Sequence, residues 1–147
     1  NRLFFTIWYG IYDFKKRTLS YSSAGHPQGF LKESSGDSHV LMKGGIPIGM
    51  VKDYRYRYNH LELKNPFVIC LFTDGLYEDE SIPPDFNGSL DSFHKLLGRI
   101  PDKTSAPSVW GGTVLQWLYT EARCLSPRED DLTLIVAEID QEDRSGS

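Results

Sequence analysis

Cysteine is scarce in this chain, with only two in 147 residues. Cys70 and Cys124 form no C-x-x-C pair, so neither a disulfide framework nor a zinc site is indicated. That usage fits a reducing, cytoplasmic setting. Long apolar runs are lacking too. The longest, 67–72, has six residues, where a membrane-spanning helix needs about 20. No signal peptide is visible. Positive charge is not in excess: 16 basic residues face 20 acidic ones, a net charge of -4. A nucleic-acid binder normally carries a basic face, so that class is disfavoured. The basic stretch Lys15-Lys16-Arg17 reads as the solvated turn of a hairpin. G-x-S-x-G, the Walker loop and G-x-G-x-x-G are all absent, which leaves serine nucleophiles and nucleotide phosphate loops without support.

What is present suffices for one core. Hydrophobic residues make up 39% and aromatic residues 13%, and the length suits a single domain. Residues 3–13 and 19–24 alternate as the strands of a hairpin. Short strands follow at 28–33 and 40–42, then a Gly/Pro loop over 43–49. Residues 54–63 and 67–73, joined by Lys64-Asn65-Pro66, read as a second hairpin. Ser89 is a candidate N-cap for a helix with Leu90, Phe93, Leu96, Leu97 and Ile100 on one face, stopped by Pro101. A second helix is predicted from Ser108, with Trp110, Val114, Trp117, Leu118 and Ala122 apolar. Gly111 and Gly112 each cost it roughly 1 kcal/mol relative to Ala. The last strand spans 131–139. Strands, then helices, then a returning strand indicate an α+β layered architecture, not a βαβ parallel sheet. The chain opens as if mid-strand, as expected of a piece of a larger protein, and 141–147 reads as a flexible tail.

Two acidic motifs are fused to apolar strands. Thr73-Asp74-Gly75 ends one strand, and Glu129-Asp130-Asp131 precedes another. If those strands pair antiparallel, the acids meet at one end of a sheet. Converging carboxylates there suit a hard divalent cation, Mg²⁺ or Mn²⁺. Each motif also has an ordinary explanation. Asp-Gly commonly starts a β-turn, where Gly75 permits a sharp bend, and 129–131 serves equally as a polar connector.

His26, in Ala24-Gly25-His26-Pro27, sits in a turn fixed by Gly and Pro. It is either a general acid or phosphate contact, or a turn histidine bonded to backbone. His39, His60 and His94 have no comparable setting. Gly44-Gly45 lacks a following helix and is a weak phosphate cradle.

Four segments together resemble the C-terminal two-thirds of a PP2C-type phosphatase domain of the bacterial SpoIIE/RsbU group. They are the hairpin ending in Ala24-Gly25-His26-Pro27, then Gly44-Gly45-Ile46-Pro47-Ile48-Gly49, then Leu71-Phe72-Thr73-Asp74-Gly75-Leu76-Tyr77-Glu78, then Asp130-Asp131-Leu132-Thr133-Leu134. The resemblance covers roughly 4–139, within a partial domain at 1–140. It implies a PP2C-like layered sandwich of antiparallel sheets flanked by helices, N-terminally truncated. It implies hydrolysis of phosphoserine or phosphothreonine on a protein by a water activated on two Mn²⁺ or Mg²⁺ ions. Asp74, with Gly75 beside it, and Asp130 match metal-binding positions. Asp131 stands where related phosphatases often carry Asn. His26 matches a position near the site and is the candidate catalytic residue. The implied partner is a phosphorylated protein that antagonises an anti-sigma factor. The family's Asp-Val-Ser-Gly-His-Gly segment, which supplies the metal-bridging Asp, is not among these residues. Expected consequences are one weakly held metal, little or no turnover, and a sheet face open to a homodimer partner or strand swap. The alternative is a PP2C-like module that holds a regulator without dephosphorylating it.

Overall fold

The structure is a computed structural model and describes residues 3–42, 44–76, 90–103, 110–120 and 133–140. Seven strands form two antiparallel sheets. The first sheet holds β1 (Ile7–Asp13), β2 (Thr18–Ala24) and β5 (Asn59–Glu62) in the order β1-β2-β5. The second holds β3 (Gly29–Glu33), β4 (Ser38–Leu41), β6 (Phe67–Phe72) and β7 (Leu134–Ile139) in the order β4-β3-β6-β7. Helices α1 (Leu90–Leu97) and α2 (Trp110–Thr120) cover the second sheet.

Strand β6 explains this layering. All its residues are apolar because both its faces are buried. Phe67 and Ile69 join Leu19, Tyr21, Leu31, Leu41 and Leu63 between the sheets. Val68, Cys70 and Phe72 face Phe93, Leu96 and Leu97 of α1 and Trp110, Val114 and Leu118 of α2. The predicted apolar faces of both helices are therefore the buried ones, with Trp117 partly buried. Gly111 of α2 has a packing reason. A Cβ at Gly111 would crowd the Glu138 Cβ at 3.2 Å, and the Gly111 N–H donates to Glu138 Oε2 at 2.9 Å. Buried Lys32 on β3 reaches the end of α1, donating to the carbonyl of Ile100 and pairing with Asp102 at 2.9 Å. A cation at the carbonyl end of a helix contributes up to about 2 kcal/mol when partly buried.

Residues 54–63 and 67–73 do not form the expected hairpin. Both edges of β6 are taken, by β3 and β7. β5 pairs instead with β2, Thr18 opposite Glu62. The chain crosses between sheets after Leu63, which is buried and donates its N–H to the Arg17 carbonyl at 2.8 Å. Only 59–62 is strand, and 54–58 carries no regular structure. The first strand is likewise shorter than 3–13, although Phe5 bridges Ile48. Ser89, Ser108, Ala122 and Cys124 lie outside the described residues, as does the 141–147 tail.

The outer face of the first sheet is uncovered among the described residues. Phe5, Ile7, Tyr9 and Ile11 alternate along the edge strand and are 56%, 40%, 59% and 56% exposed.

His94 supplies a pH-dependent element. Its ring lies near Phe30 and Phe72, each centroid 6.3 Å away. Its Nε2 is buried without a partner among the described residues. Burial pushes its pKa below the ordinary 6.5, opposed by a hydrogen bond with the Gln28 backbone and by Asp91. As pH falls, the unfolded chain therefore takes up the proton first. The stability contribution is full above 6.5 and is lost as pH drops below it. The urea midpoint is expected to fall between about pH 7.5 and about pH 5.5, across the histidine range, and His94→Gln to reduce that fall. An unchanged pH profile in the variant would contradict the assignment.

Candidate metal and phosphate site at one sheet end

The two acid-bearing strands are antiparallel neighbours, with Phe72 opposite Leu134. Pairing extends one residue further. The Thr73 N–H donates to the Thr133 carbonyl at 3.0 Å, and the Thr133 N–H donates to Thr73 Oγ1 at 2.9 Å. The chain thus leaves β6 and enters β7 at the same end of the sheet. Asp74 lies just past that clamp, exposed, at the start of a single 3₁₀ turn, Asp74–Leu76. Its Oδ1 accepts the Gly75 N–H at 3.2 Å. Gly75 is buried and is not one of the left-handed glycines, which among the described residues are Gly25, Gly36 and Gly49. The bend is therefore made by the 3₁₀ turn, not by a left-handed Gly75. Buried Leu76 anchors the turn in the helix-side core.

Asp130 and Asp131 lie outside the described residues. Among the described residues, no group of three or more His, Cys, Asp and Glu is arranged to hold a metal. Asp74 does fit as one ligand of a hard cation: it is an exposed carboxylate on a rigid strand end with only one oxygen engaged by backbone.

His26 reaches the same end by register. Phe30 pairs with Cys70. Because the strands are antiparallel, β3 starts at the sheet end where β6 finishes, and His26 lies three residues before that start. His26 Nδ1 lies 3.0 Å from the Pro27 carbonyl. A carbonyl only accepts, so Nδ1 carries hydrogen, and in the neutral ring Nε2 keeps its lone pair. The backbone-bonded turn histidine expected as one alternative is thus present, with the second nitrogen left for another contact. Ser23 Oγ donates to the His26 carbonyl at 3.2 Å and steadies the turn.

Glycines bring the 44–49 loop onto this end. Gly25 has φ 71°, where a side chain is strained, and a Cβ there would lie 2.5 Å from Pro47. A Cβ at Gly44 would lie 1.7 Å from the Ser23 carbonyl oxygen. The Gly25 N–H donates to the Gly45 carbonyl at 2.7 Å. These glycines serve close backbone packing, with no helix following to make a phosphate cradle. Beside them lies a cleft of 470 Å³ lined by Gly25, Gly44, Gly45, Ile46, Pro47 and Tyr54. Tyr54, read from sequence as a strand residue, has no such role legible in its local pattern. Cys70 is buried, and burial pushes its thiol up to about 12, so it is no nucleophile. No helix among the described residues is long and apolar enough to cross a membrane.

Known proteins share this architecture. The chain is 32% identical over 77 residues to the phosphoserine phosphatase RsbU of Bacillus subtilis, covering 52% of this chain and 23% of RsbU. The RsbU and RsbW domains of Rv1364c from Mycobacterium tuberculosis superpose with a TM-score of 0.68 at 23% identity, over 89% of this chain and 36% of that one. The phosphatase domain of SpoIIE from Bacillus subtilis, presoaked with Mn, gives a TM-score of 0.58 at 20% identity, over 92% of this chain and 56% of that one. The chain therefore has the fold of PP2C phosphatase domains and spans less than two thirds of each of these proteins. Residues 1–140 match the model of the family described as Stage II sporulation protein E, and the chain belongs to this SpoIIE family.

Proposed function

We propose that these residues form part of a PP2C-type phosphatase domain that hydrolyses phosphoserine or phosphothreonine on a bacterial signalling protein in the cytoplasm. The observation that carries this is the Thr73–Thr133 clamp, which sets the strand ending in Asp74 beside the strand preceded by Asp130 and Asp131. RsbU, named a phosphoserine phosphatase, supports the substrate class, and the SpoIIE domain presoaked with Mn supports the metal. A regulator that antagonises an anti-sigma factor is the corresponding partner. Asp74 and Asp130 would hold the cation, Gly75 would fix the Asp74 carboxylate through its N–H, and Asp131 would orient or ligate. Bound Mn²⁺ or Mg²⁺ would supply a water of lowered pKa and neutralise phosphoryl oxygens. His26, with Nδ1 tied to the Pro27 carbonyl, would contact the phosphate or give a proton to the departing serine or threonine oxygen as the imidazolium, in which Nε2 carries a proton as well.

Two aspartates provide few of the roughly six oxygens such a cation takes. These residues alone should therefore hold one metal weakly and turn over little. Calorimetry with Mn²⁺ and a p-nitrophenyl phosphate assay test this. Two tight sites with fast turnover would overturn the weak-site expectation, and no Mn²⁺ binding at all would overturn the metal assignment. Two candidate aspartates for about six ligand positions also favour a second reading, a module that holds a phosphorylated regulator without hydrolysing it. Mn²⁺-dependent dephosphorylation by the full-length parent would exclude it. The exposed Phe5, Ile7, Tyr9, Ile11 stripe would be covered by a homodimer partner or swapped strand, and a clean monomer in light scattering would argue against that.

A further inference from the structure

The segment from Val51 to Tyr58 links the glycine loop to β5 and alternates cations with aromatics. It reads Val51-Lys52-Asp53-Tyr54-Arg55-Tyr56-Arg57-Tyr58. It is irregular yet held in place. Ser22 Oγ donates to the Arg57 carbonyl at 2.7 Å. The Tyr54 and Tyr56 rings meet edge-on at 4.8 Å, and Tyr58 meets His60 at 5.0 Å. Tyr54 also walls the cleft beside Gly25 and Gly45.

The cations of this segment stand out by their clustering, three within residues 52–57, since Lys15, Lys64, Lys95 and Arg99 are likewise without an ion pair among the described residues. Lys16, Lys32 and Lys103 each pair with a carboxylate. Lys52, Arg55 and Arg57 are exposed, and none makes an ion pair or side-chain hydrogen bond among the described residues. Three cations against Asp53 leave a local charge of +2 on a chain whose net charge is -4. Guanidinium forks suit carboxylates and phosphates, and the interleaved tyrosines add flat apolar contact. A positive strip on an acidic molecule also steers an acidic partner and sets its register.

We propose that the segment from Lys52 to Tyr58 is a docking strip for an acidic segment of a protein partner, continuous with the cleft walled by Tyr54. The contact stands on charge and geometry; only the partner's role as substrate rests on the phosphatase reading. Continuity supplies the direction. Gly25 both lines the cleft and precedes His26, so a chain lying on the strip and through the cleft is led toward the sheet end that carries Asp74. Alternating aromatics and cations also suit single-stranded nucleic acid, but the acidic whole disfavours a polyanion of that length.

Fluorescence anisotropy on the full chain, with chelator present, tests the strip. The probes are a labelled Glu-rich peptide carrying one phosphoserine, the same peptide with Gln for Glu and unmodified Ser, and a single-stranded oligonucleotide. The acidic peptide should bind, and the double variant Arg55→Glu/Arg57→Glu should weaken it about tenfold at low salt, with less effect as salt rises. Lys52→Glu, on a side chain outside the packed layers, should weaken it in the same direction and guards against misfolding of the double variant. Unchanged affinity in folded variants, equal binding of the neutral peptide, or tighter binding of the oligonucleotide would each overturn the proposal. Mn²⁺ binding is measured separately. If Asp74→Asn leaves it intact while the charge reversals still weaken peptide binding, the metal assignment fails and the docking strip stands.

Discussion

Asp74→Asn is expected to lower Mn²⁺ affinity about 100-fold or more while leaving the fold intact. Loss of a residue that merely supports a ligand typically costs 10–100-fold in metal affinity, so loss of the ligand's charge should cost at least as much. Stability should hold because Asp74 is exposed and an Asn oxygen still accepts the Gly75 N–H. The substitution also separates the two explanations open at this position. Asn is as good as Asp in a β-turn, so an ordinary turn would show neither a stability change nor a metal change. Under the proposed phosphatase reading, the activity of the whole protein should fall along with affinity. Calorimetric titration beside a thermal melt reads both quantities on one sample.

Gly44→Ala is expected to destabilise the chain by about 3 kcal/mol, the upper part of the usual range for an overpacked site. The new methyl would meet the Ser23 carbonyl oxygen at 1.7 Å, a backbone atom of β2 that cannot rotate away. The loop must move, and with it go the Ala24–Gly45 bridge and the hydrogen bond from Gly25 to Gly45. Gly36→Ala provides the comparison. Gly36 has φ 99° but nothing within 4 Å of a Cβ, so only backbone strain of about 1–2 kcal/mol is expected. Denaturant midpoints of the two variants should differ, with Gly44→Ala the lower. Equal midpoints would mean that the loop is not seated as described.

The sequence pattern makes much of this visible in advance. The six apolar residues of β6 reveal a strand buried on both sides, and the spacing of Phe93, Leu96, Leu97 and Ile100 identifies the face of α1 that covers it. The pairing of β6 with β7 enters the sequence reading only as a condition, that two apolar strands with acids at opposite chain ends lie antiparallel, and the structure meets it. The sheet membership of β5 does not follow, because alternation in 54–63 shows that a strand has two faces but not which neighbour it takes. That choice depends on both edges of β6 being occupied from far along the chain. The seat of Gly44 against Ser23 and the turn of Tyr54 toward the cleft are tertiary contacts that local pattern does not encode. For the candidate site, Asp74 and His26 are legible from turn chemistry, and their shared end of the sheet emerges only from the β3–β6 register. The unpaired state of Arg55 and Arg57 is likewise a fact of packing, since a sequence shows charges but not which of them find partners.

A double-mutant cycle in Mn²⁺ affinity across Asp74→Asn and Asp130→Asn tests most directly whether the two acidic motifs share one cation. If both carboxylates hold the same ion, each single variant loses most of the affinity and the double variant loses little more, a large coupling between residues 56 positions apart. Additive small losses, or one silent variant, would show that the acids do not meet on a metal and would contradict the account.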